Sequence, residues 1–480
     1  NLFGCDIDKR ASTLANFALT MKARLYHRRF FKKSSTPNVI ELVEYGNSYK
    51  GIKNFGSLLT PKEDDLNIQE DGLLGQVSKE FKLQTQILSS LYSCVITNPP
   101  YMGGKGMNKE LTDFVKDRYP DSKSDLFAVF MERTLEMTHQ NGFMSIITMS
   151  TWMYLSSYTK LRTLILEKYT IESLVNMGWG VFGSSSFPSV AFVINKAQIK
   201  DFEKIFIGLE EFRDIKDKEV AFFNKEMRYK IHQKKFLKIS GSPITFNVND
   251  NILQLFDHKS FSSLVQFKIG ITTGNNELFL RNWTETNLNS IGFNLSKIEA
   301  KQSKLKWFPH NKGGDSTKWY GNNDFIINWF NDGEEIRKYN IGASGGRIVN
   351  EDNYFEESIS SSAISSSSTN AYRFYPKGAI FDVNFRSLFL KDKRLESYYL
   401  SFLNSKIVYF LLNILSPTMA MNKSDLDRLP IIFPEKESVK DDISSLAQDC
   451  IDISKEDWDS RETSWDFTKN ELLKHLVPKG

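Results

Sequence analysis

The sequence predicts an α/β fold, with a mostly parallel sheet in the first 196 residues and a second, mixed α/β unit after it. Three observations carry this expectation. Short apolar runs that stop at polar or turn residues recur at residues 1–5, 94–97 and 143–148. Between them lie stretches with apolar residues at helical spacing. Strands alternating with helices are the pattern of parallel strands joined by crossover helices.

Residues 1–5 read as a short buried strand running into the carboxylates Asp6 and Asp8. Residues 9–26 then place Leu14, Phe17, Ala18 and Met21 at helical spacing. Residues 94–97 form the next strand, stopped by Asn98-Pro99-Pro100. Residues 127–137 are helical, and residues 143–148 make a strand launched from Asn141-Gly142. Further strands are expected at 171–176 and 190–195, the second of the kind that pairs antiparallel at a sheet's end. From about Lys196 charged residues dominate, so residues 197–249 read as a connector. The second unit, residues 250–480, mixes Gly-rich turns, aromatics and basic residues and ends in helical sequence. Residues 358–369 are nearly all serine and are expected to be a mobile loop or insertion.

Size and charge set outer bounds. A chain of 480 residues calls for two or three domains. Its longest apolar stretch, residues 407–415, is a core helix, well short of the ~18 residues that suggest a membrane span. A formal net charge of +4 is small for this length. Binding to a polyanion must therefore come from local clusters of Lys and Arg. Three separated cysteines, Cys5, Cys94 and Cys450, support neither a zinc site nor a disulfide framework, and His139, His258 and His310 stand alone. No metal is expected, and a reducing cytoplasm is the natural setting. The chain opens inside an apolar, strand-like run, which suggests an interior piece of a longer protein.

The chemistry concentrates at Asn98-Pro99-Pro100-Tyr101. At a strand's carboxyl end this tetrad sits where open α/β sheets bind ligands. An exocyclic amine conjugated to an aromatic ring is a poor nucleophile. It improves when acceptors hold its N–H groups and draw the nitrogen toward tetrahedral geometry. Asn98 offers a side-chain oxygen, Pro99 its carbonyl, and Tyr101 a flat face for stacking, while the two prolines stiffen the turn. Asn-Pro-Pro is also ordinary turn chemistry. Upstream, Asp6 at the end of a strand is placed to accept both hydroxyls of a ribose, and Asp8, just before the helix, suits an N-cap. Pro120-Asp121 with Lys123 nearby reads as a turn, since no second carboxylate accompanies it.

With these motifs in this order, residues 1–196 resemble the gamma-type DNA adenine-N6 enzymes among the S-adenosylmethionine-dependent, Rossmann-like amino-methyltransferases. The resemblance implies that Asp6, with Ile7 beside it, holds the cofactor ribose. Asn98 to Tyr101 then form the acceptor site, Asn98 also bordering the cofactor. Phe182 in the 180–188 loop stacks on a flipped base together with Tyr101, with Phe187 as its competitor. Asp125, in Asp125-Leu126-Phe127, lines the cofactor pocket. The third motif falls on Asn54-Phe55-Gly56-Ser57, where Gly56 replaces the family's polar residue and Ser57 or Asn54 would stand in. The first motif, a Gly-rich turn for the cofactor's methionine end, is expected to precede Asn1. Asn1-Leu2-Phe3-Gly4 through Met21-Lys22-Ala23-Arg24, Tyr101-Met102-Gly103-Gly104 and Glu462-Thr463-Ser464-Trp465-Asp466-Phe467 further resemble the methyltransferases of bacteriophage-exclusion systems. Other proteins of such a system are the implied partners.

An adenine inside a duplex must be flipped to reach such a site, so something must grip double-stranded DNA. The basic, turn-rich residues 270–386 are the expected grip, with Lys301, Lys304, Lys306, Arg347, Arg373, Lys377 and Arg386 as contacts. Two stretches, Gly270-Ile271-Thr272-Thr273-Gly274-Asn275 and Leu415-Ser416-Pro417-Thr418, resemble target-recognition domains of restriction-modification specificity proteins. Two other readings use the same residues. One is methylation of a protein glutamine amide, which poses the same chemical problem. The other is a DNA-binding and docking module that is inactive without its donor loop.

Overall fold

The computed structural model describes residues 2–32, 37–45, 49–62, 75–182, 187–199, 202–246, 248–312, 314, 316–342, 345–362, 371–416, 423–470 and 472–473. The chain divides into two units, Asn1–Asn247 and Val248–Gly480.

In the first unit, β1 (Phe3–Asp6) and β2 (Asn38–Glu41) pair in parallel around the helix Lys9–Tyr26. A six-stranded sheet follows. Its members are β3 (Tyr92–Thr97), β4 (Thr138–Met149), β5 (Thr170–Gly178), β6 (Ser189–Asn195), β7 (Lys204–Gly208) and β8 (Arg228–Ile231), in the order β3-β4-β6-β5-β7-β8. β3 runs parallel to β4 and β5 to β7, while β6 runs antiparallel to both of its neighbours. The helices Leu126–Glu136 and Thr159–Lys168 cover this sheet. Phe127, Met131, Leu161 and Ile165 interlock with Met144, Ile146, Leu174 and Phe192 in one buried core.

Two expectations change here. The antiparallel strand is correct in direction, but it lies inside the sheet and not at its end. Residues 197–249 are no connector: β7 and β8 extend the sheet, and Phe206, Ile231, Phe236, Ile244 and Phe246 belong to the same core. Among the described residues most of the charges that suggested a linker are exposed, and two are buried and engaged. Lys204 is buried and paired with Glu172 of β5 at 2.5 Å, and Lys218 donates to the carbonyls of Met177, Leu209 and Phe212.

β1 and β3 come close without pairing. The rings of Phe3 and Tyr92 lie 5.9 Å apart, yet among the described residues β1 pairs only with β2 and β3 only with β4. Among the described residues both strands keep an edge without a strand partner.

The second unit holds two four-stranded sheets. One is formed by β10 (Leu280–Asn282), β12 (Phe325–Asn328), β11 (Trp307–Asn311) and β15 (Ile380–Phe381), in that order. The other runs β14 (Tyr372–Tyr375), β13 (Ser358–Ser362), β16 (Phe385–Leu390), β9 (Val265–Lys268). The serine-rich stretch is thus a strand over Ser358–Ser362; residues 363–369 lie outside the described residues. Its small hydroxyls fit a polar core. Ser360 Oγ accepts from Asn311 Nδ2 at 2.9 Å and sits 3.0 Å from Ser358 Oγ. The expected core helix is present as Lys406–Leu415. Among the described residues no helix is long and apolar enough to cross a membrane.

Candidate active site and nucleic-acid interface

β3 ends at Thr97, opposite Ile146 of the parallel β4, and the next four residues are the tetrad. The tetrad therefore leaves the sheet at the carboxyl ends of two parallel strands. Pro99 is buried, while Asn98 and Pro100 are exposed. The Tyr101 hydroxyl donates to Asn98 Oδ1 at 2.9 Å, with the Ile147 carbonyl as a second acceptor at 3.2 Å. Burial raises the Tyr101 pKa, which keeps the hydroxyl a donor and holds the carboxamide oxygen in place. No sequence signal marks Ile147, because it contributes only its backbone.

The exit from the tetrad is clamped. Asp125 Oδ1 accepts from the Met102 N–H at 3.0 Å and from the Phe127 N–H at 3.3 Å, capping the helix Leu126–Glu136. The Leu126 N–H returns to the Met102 carbonyl at 3.1 Å. Burial raises the Asp125 pKa against the opposing pull of these amides. Its carboxylate thus ties the tetrad loop to the helix.

Of the two aromatic candidates, Phe187 packs on Tyr101, with ring centroids 4.7 Å apart. Phe182 sits 6.4 Å from Phe187 and is 41% exposed. Residues 183–186 between them lie outside the described residues.

On the β1 side, Asp8 caps the helix Lys9–Tyr26 through the N–H groups of Arg10 and Ala11, at 2.6 and 3.1 Å. Asp6 Oδ1 accepts from the Asp8 N–H at 2.7 Å, so one oxygen of Asp6 is unengaged among the described residues. Lys53 anchors the turn by donating to the Ile7 carbonyl and to Glu41, both at 2.7 Å. The third-motif stretch packs against Ile7. Gly56 has φ +57°, and a Cβ there would meet Ile7 Cγ2 at 3.3 Å. A left-handed backbone in close contact accounts for glycine where the family carries a polar residue. Arg133, missed as a lone charge in an apolar helix, holds this stretch by donating to the carbonyls of Ser57, Leu59 and Leu88. The Asn54 amide is engaged with Asn108 and Glu110. Asp6, Ile7 and the 56–57 turn thus present an acceptor and an apolar contact suited to the adenosine end of a cofactor.

The basic candidates of the second unit separate into two groups. Arg373 is buried, donates to Asn311, and has its pKa lowered to about 10 by burial. This corrects its expected role, because a guanidinium enclosed in the core of β14 does not reach DNA. Arg386 is half-buried, donating to the Val383 carbonyl with its guanidinium over Phe267. Lys301 and Lys306 pair with Asp332 and Glu335. Arg347 and Lys377 are exposed, and Lys304 ends a helix in the left-handed conformation. Among the described residues these three form no ion pair. A cavity of about 550 Å³ is lined by Phe293, Tyr320, Trp465 and Lys377 together with Asp452, Asp459 and Asp466. Its carboxylates make it a poor seat for phosphate.

The parallel strands β3 and β4, with the tetrad at the end of β3, make an α/β unit with a polar site at a strand's carboxyl end. Residues 1–182 match the model of the Eco57I restriction-modification methylase family. Over 99% of its length the chain is related to the adenine-specific methyltransferase PglX of Lacticaseibacillus casei (strain Zhang), at 37% identity. It is likewise related to the adenine-specific methyltransferase BrxX of Escherichia coli O9:H4 (strain HS), at 31% identity over 99% of the chain. It spans 44% of the length of each. Among solved structures it resembles the Type IIL restriction-modification enzyme MmeI in complex with DNA. That likeness has a TM-score of 0.59 at 13% identity and covers 98% of this chain and 61% of the other; it is a likeness of fold.

Proposed function

We propose that the chain carries the acceptor half and the DNA-reading unit of a site-specific DNA adenine-N6 methyltransferase. The methyl donor in this reading is S-adenosylmethionine, and the setting is cytoplasmic, in bacteriophage exclusion or restriction-modification. The supporting observation is the Asn98 carboxamide oxygen, oriented by Tyr101 and followed by the buried Pro99, at the carboxyl end of β3. A flipped adenine slides its face over Tyr101 and is covered from the other side by Phe182. Its N6 hydrogens are accepted by Asn98 Oδ1 and the Pro99 carbonyl, which frees the nitrogen lone pair from the ring. Asp6 accepts from the ribose hydroxyls of the donor, Ile7 and Ser57 flank its adenine, and Asp125 keeps the tetrad loop in place. The donor supplies an electrophilic methyl on a sulfonium, so no covalent enzyme intermediate is required.

The test compares substrates. In a polypeptide of the relatives' full length, tritiated methyl is expected in duplex DNA at adenine N6 and not on protein glutamine. Label confined to protein would favour the amide reading. For residues 1–480 alone, a second reading is DNA binding without turnover. Methyl transfer to duplex DNA by residues 1–480 would exclude it, and micromolar binding of S-adenosylmethionine by calorimetry would show that the donor site is present.

The DNA grip is proposed to rest on Lys304, Arg347 and Lys377, while the charges of Lys301 and Lys306 are already matched. Each of the three replaced by Ala is expected to reduce the slope of log K against log salt by about 0.9 if it neutralises one phosphate. Lys301→Ala changes it less. Fluorescence anisotropy with a duplex between low and moderate salt measures this, and an unchanged slope removes that residue from the interface.

A further inference from the structure

We infer that the outer side of the helix Glu437–Asp459 is a docking surface for a basic amphipathic helix of a partner protein. This does not rest on the proposed methyl transfer. The inner side of the helix is satisfied: Ala447 and Ile451 are buried, and Gln448 accepts from Ser397 on the helix Glu396–Asn404. Beside it runs a second apolar row made of Val439, Ile443, Leu446, Cys450 and Ile453. The steps between them are four, three, four and three residues, the heptad interval of a coiled-coil seam. Val439, Leu446 and Ile453 are 41%, 64% and 66% exposed, and Ile443 and Cys450 are half-buried. At 1.5 Å per residue the row is about 21 Å long. A seam with this period stays in register with another helix, not with a strand or an irregular loop.

Charge selects among helical occupants. Asp442, Asp449 and Glu456 follow the row at the same seven-residue interval on its outward flank. They and Asp441 form no ion pair among the described residues. The helix carries eight carboxylates against two lysines, and both lysines are engaged, Lys440 with Glu437 and Lys455 with Asp459 and Asp466. This is a local inversion in a chain of net charge +4. Such a face repels nucleic acid, anionic lipid and a second copy of itself. The complement is a helix with Leu or Ile at its seam positions and Lys or Arg along its flanks.

The test uses residues 1–480 and a labelled 21-residue helical peptide with Leu and Ile at the seam positions and Lys on both flanks. Its partner probe is the same peptide with Glu on the flanks. Anisotropy is expected to show micromolar binding of the basic peptide and at least about ten-fold weaker binding of the acidic one. The exposed double substitution Leu446→Ser with Ile453→Ser is expected to abolish binding while leaving far-UV circular dichroism unchanged. Reversal of the flank by Asp442→Lys, Asp449→Lys and Glu456→Lys is expected to switch the preference to the acidic peptide. Failure of the basic peptide to bind, equal binding of both peptides, or binding that survives the serine substitutions overturns the proposal. So does self-association of the chain that those substitutions remove.

Discussion

Asn98→Ala is expected to lower kcat for adenine methylation roughly 100- to 1,000-fold in a polypeptide of the relatives' full length, corresponding to about 3–4 kcal/mol of lost transition-state stabilisation. The amine's lone pair is delocalised into the purine, and its nucleophilicity grows only as the N–H groups are pulled out of plane. In the proposed geometry, truncation of Asn98 leaves the Pro99 carbonyl to hold one hydrogen and the other to water. The effect belongs to the transition state, so the KM for DNA should change little. Folding offers no competing explanation, because Asn98 is exposed and, among the described residues, its oxygen receives only the Tyr101 hydroxyl, which keeps the Ile147 carbonyl as an acceptor. Asn98→Asp retains an oxygen acceptor and is expected to lose less. Methyl incorporation under saturating DNA measures both variants. Activity of Asn98→Ala within a few-fold of wild type would sink the acceptor role, and equal losses for the two variants would place the importance of Asn98 in its amide nitrogen.

What the sequence made visible, and what it hid, follows from how each residue spends its polar groups. β1, β3, β4 and their helices were legible because apolar runs and turn residues coincide there, and the place of the tetrad at the end of β3 was legible because its prolines stop the strand. Asp8 was recognisable as a cap for the same local reason. Composition misled wherever a charge or hydroxyl is buried and satisfied. The many charges of residues 197–249 gave them the look of a linker, yet among the described residues most are exposed on strands, helices and their turns, while Lys204 is paired across the sheet and Lys218 is ringed by carbonyls. Arg373 looked like a DNA contact and lies inside the core. Residues 358–362 looked like a loop, yet they form a strand in which the Ser360 hydroxyl meets Asn311 and Ser387. Hydrophobic periodicity reports which residues avoid water; it is silent on polar groups whose partners come from distant parts of the chain.

Arg162→Met carries the largest expected loss of stability, about 3–5 kcal/mol, and tests the reassignment of residues 197–246 to the core of the first unit. Arg162 is fully buried on the helix Thr159–Lys168. Its guanidinium donates to the carbonyls of Trp152 and Leu155 at 2.8 and 2.6 Å, to Thr159 Oγ1 at 3.1 Å, to Ser242 at 3.1 Å, and to Gly241 at 3.1 and 2.6 Å. One side chain thereby pins the end of the supposed connector to the loop after β4. Methionine fills much of the volume but leaves several buried carbonyls without donors, each costing about 1–3 kcal/mol less whatever water enters. Lys160→Met, two residues earlier in the same helix and paired with Asp121 in the open, serves as the control and should leave the unfolding midpoint nearly unchanged. Hydrogen exchange of β4 to β7 amides under increasing urea reads this unit separately from the other. If residues 241–242 belong to the core, Arg162→Met lowers protection in β7 together with β4 and β6. A loss below about 1 kcal/mol, or one confined to residues 241–242, would mean that the segment rests on the core without being part of it.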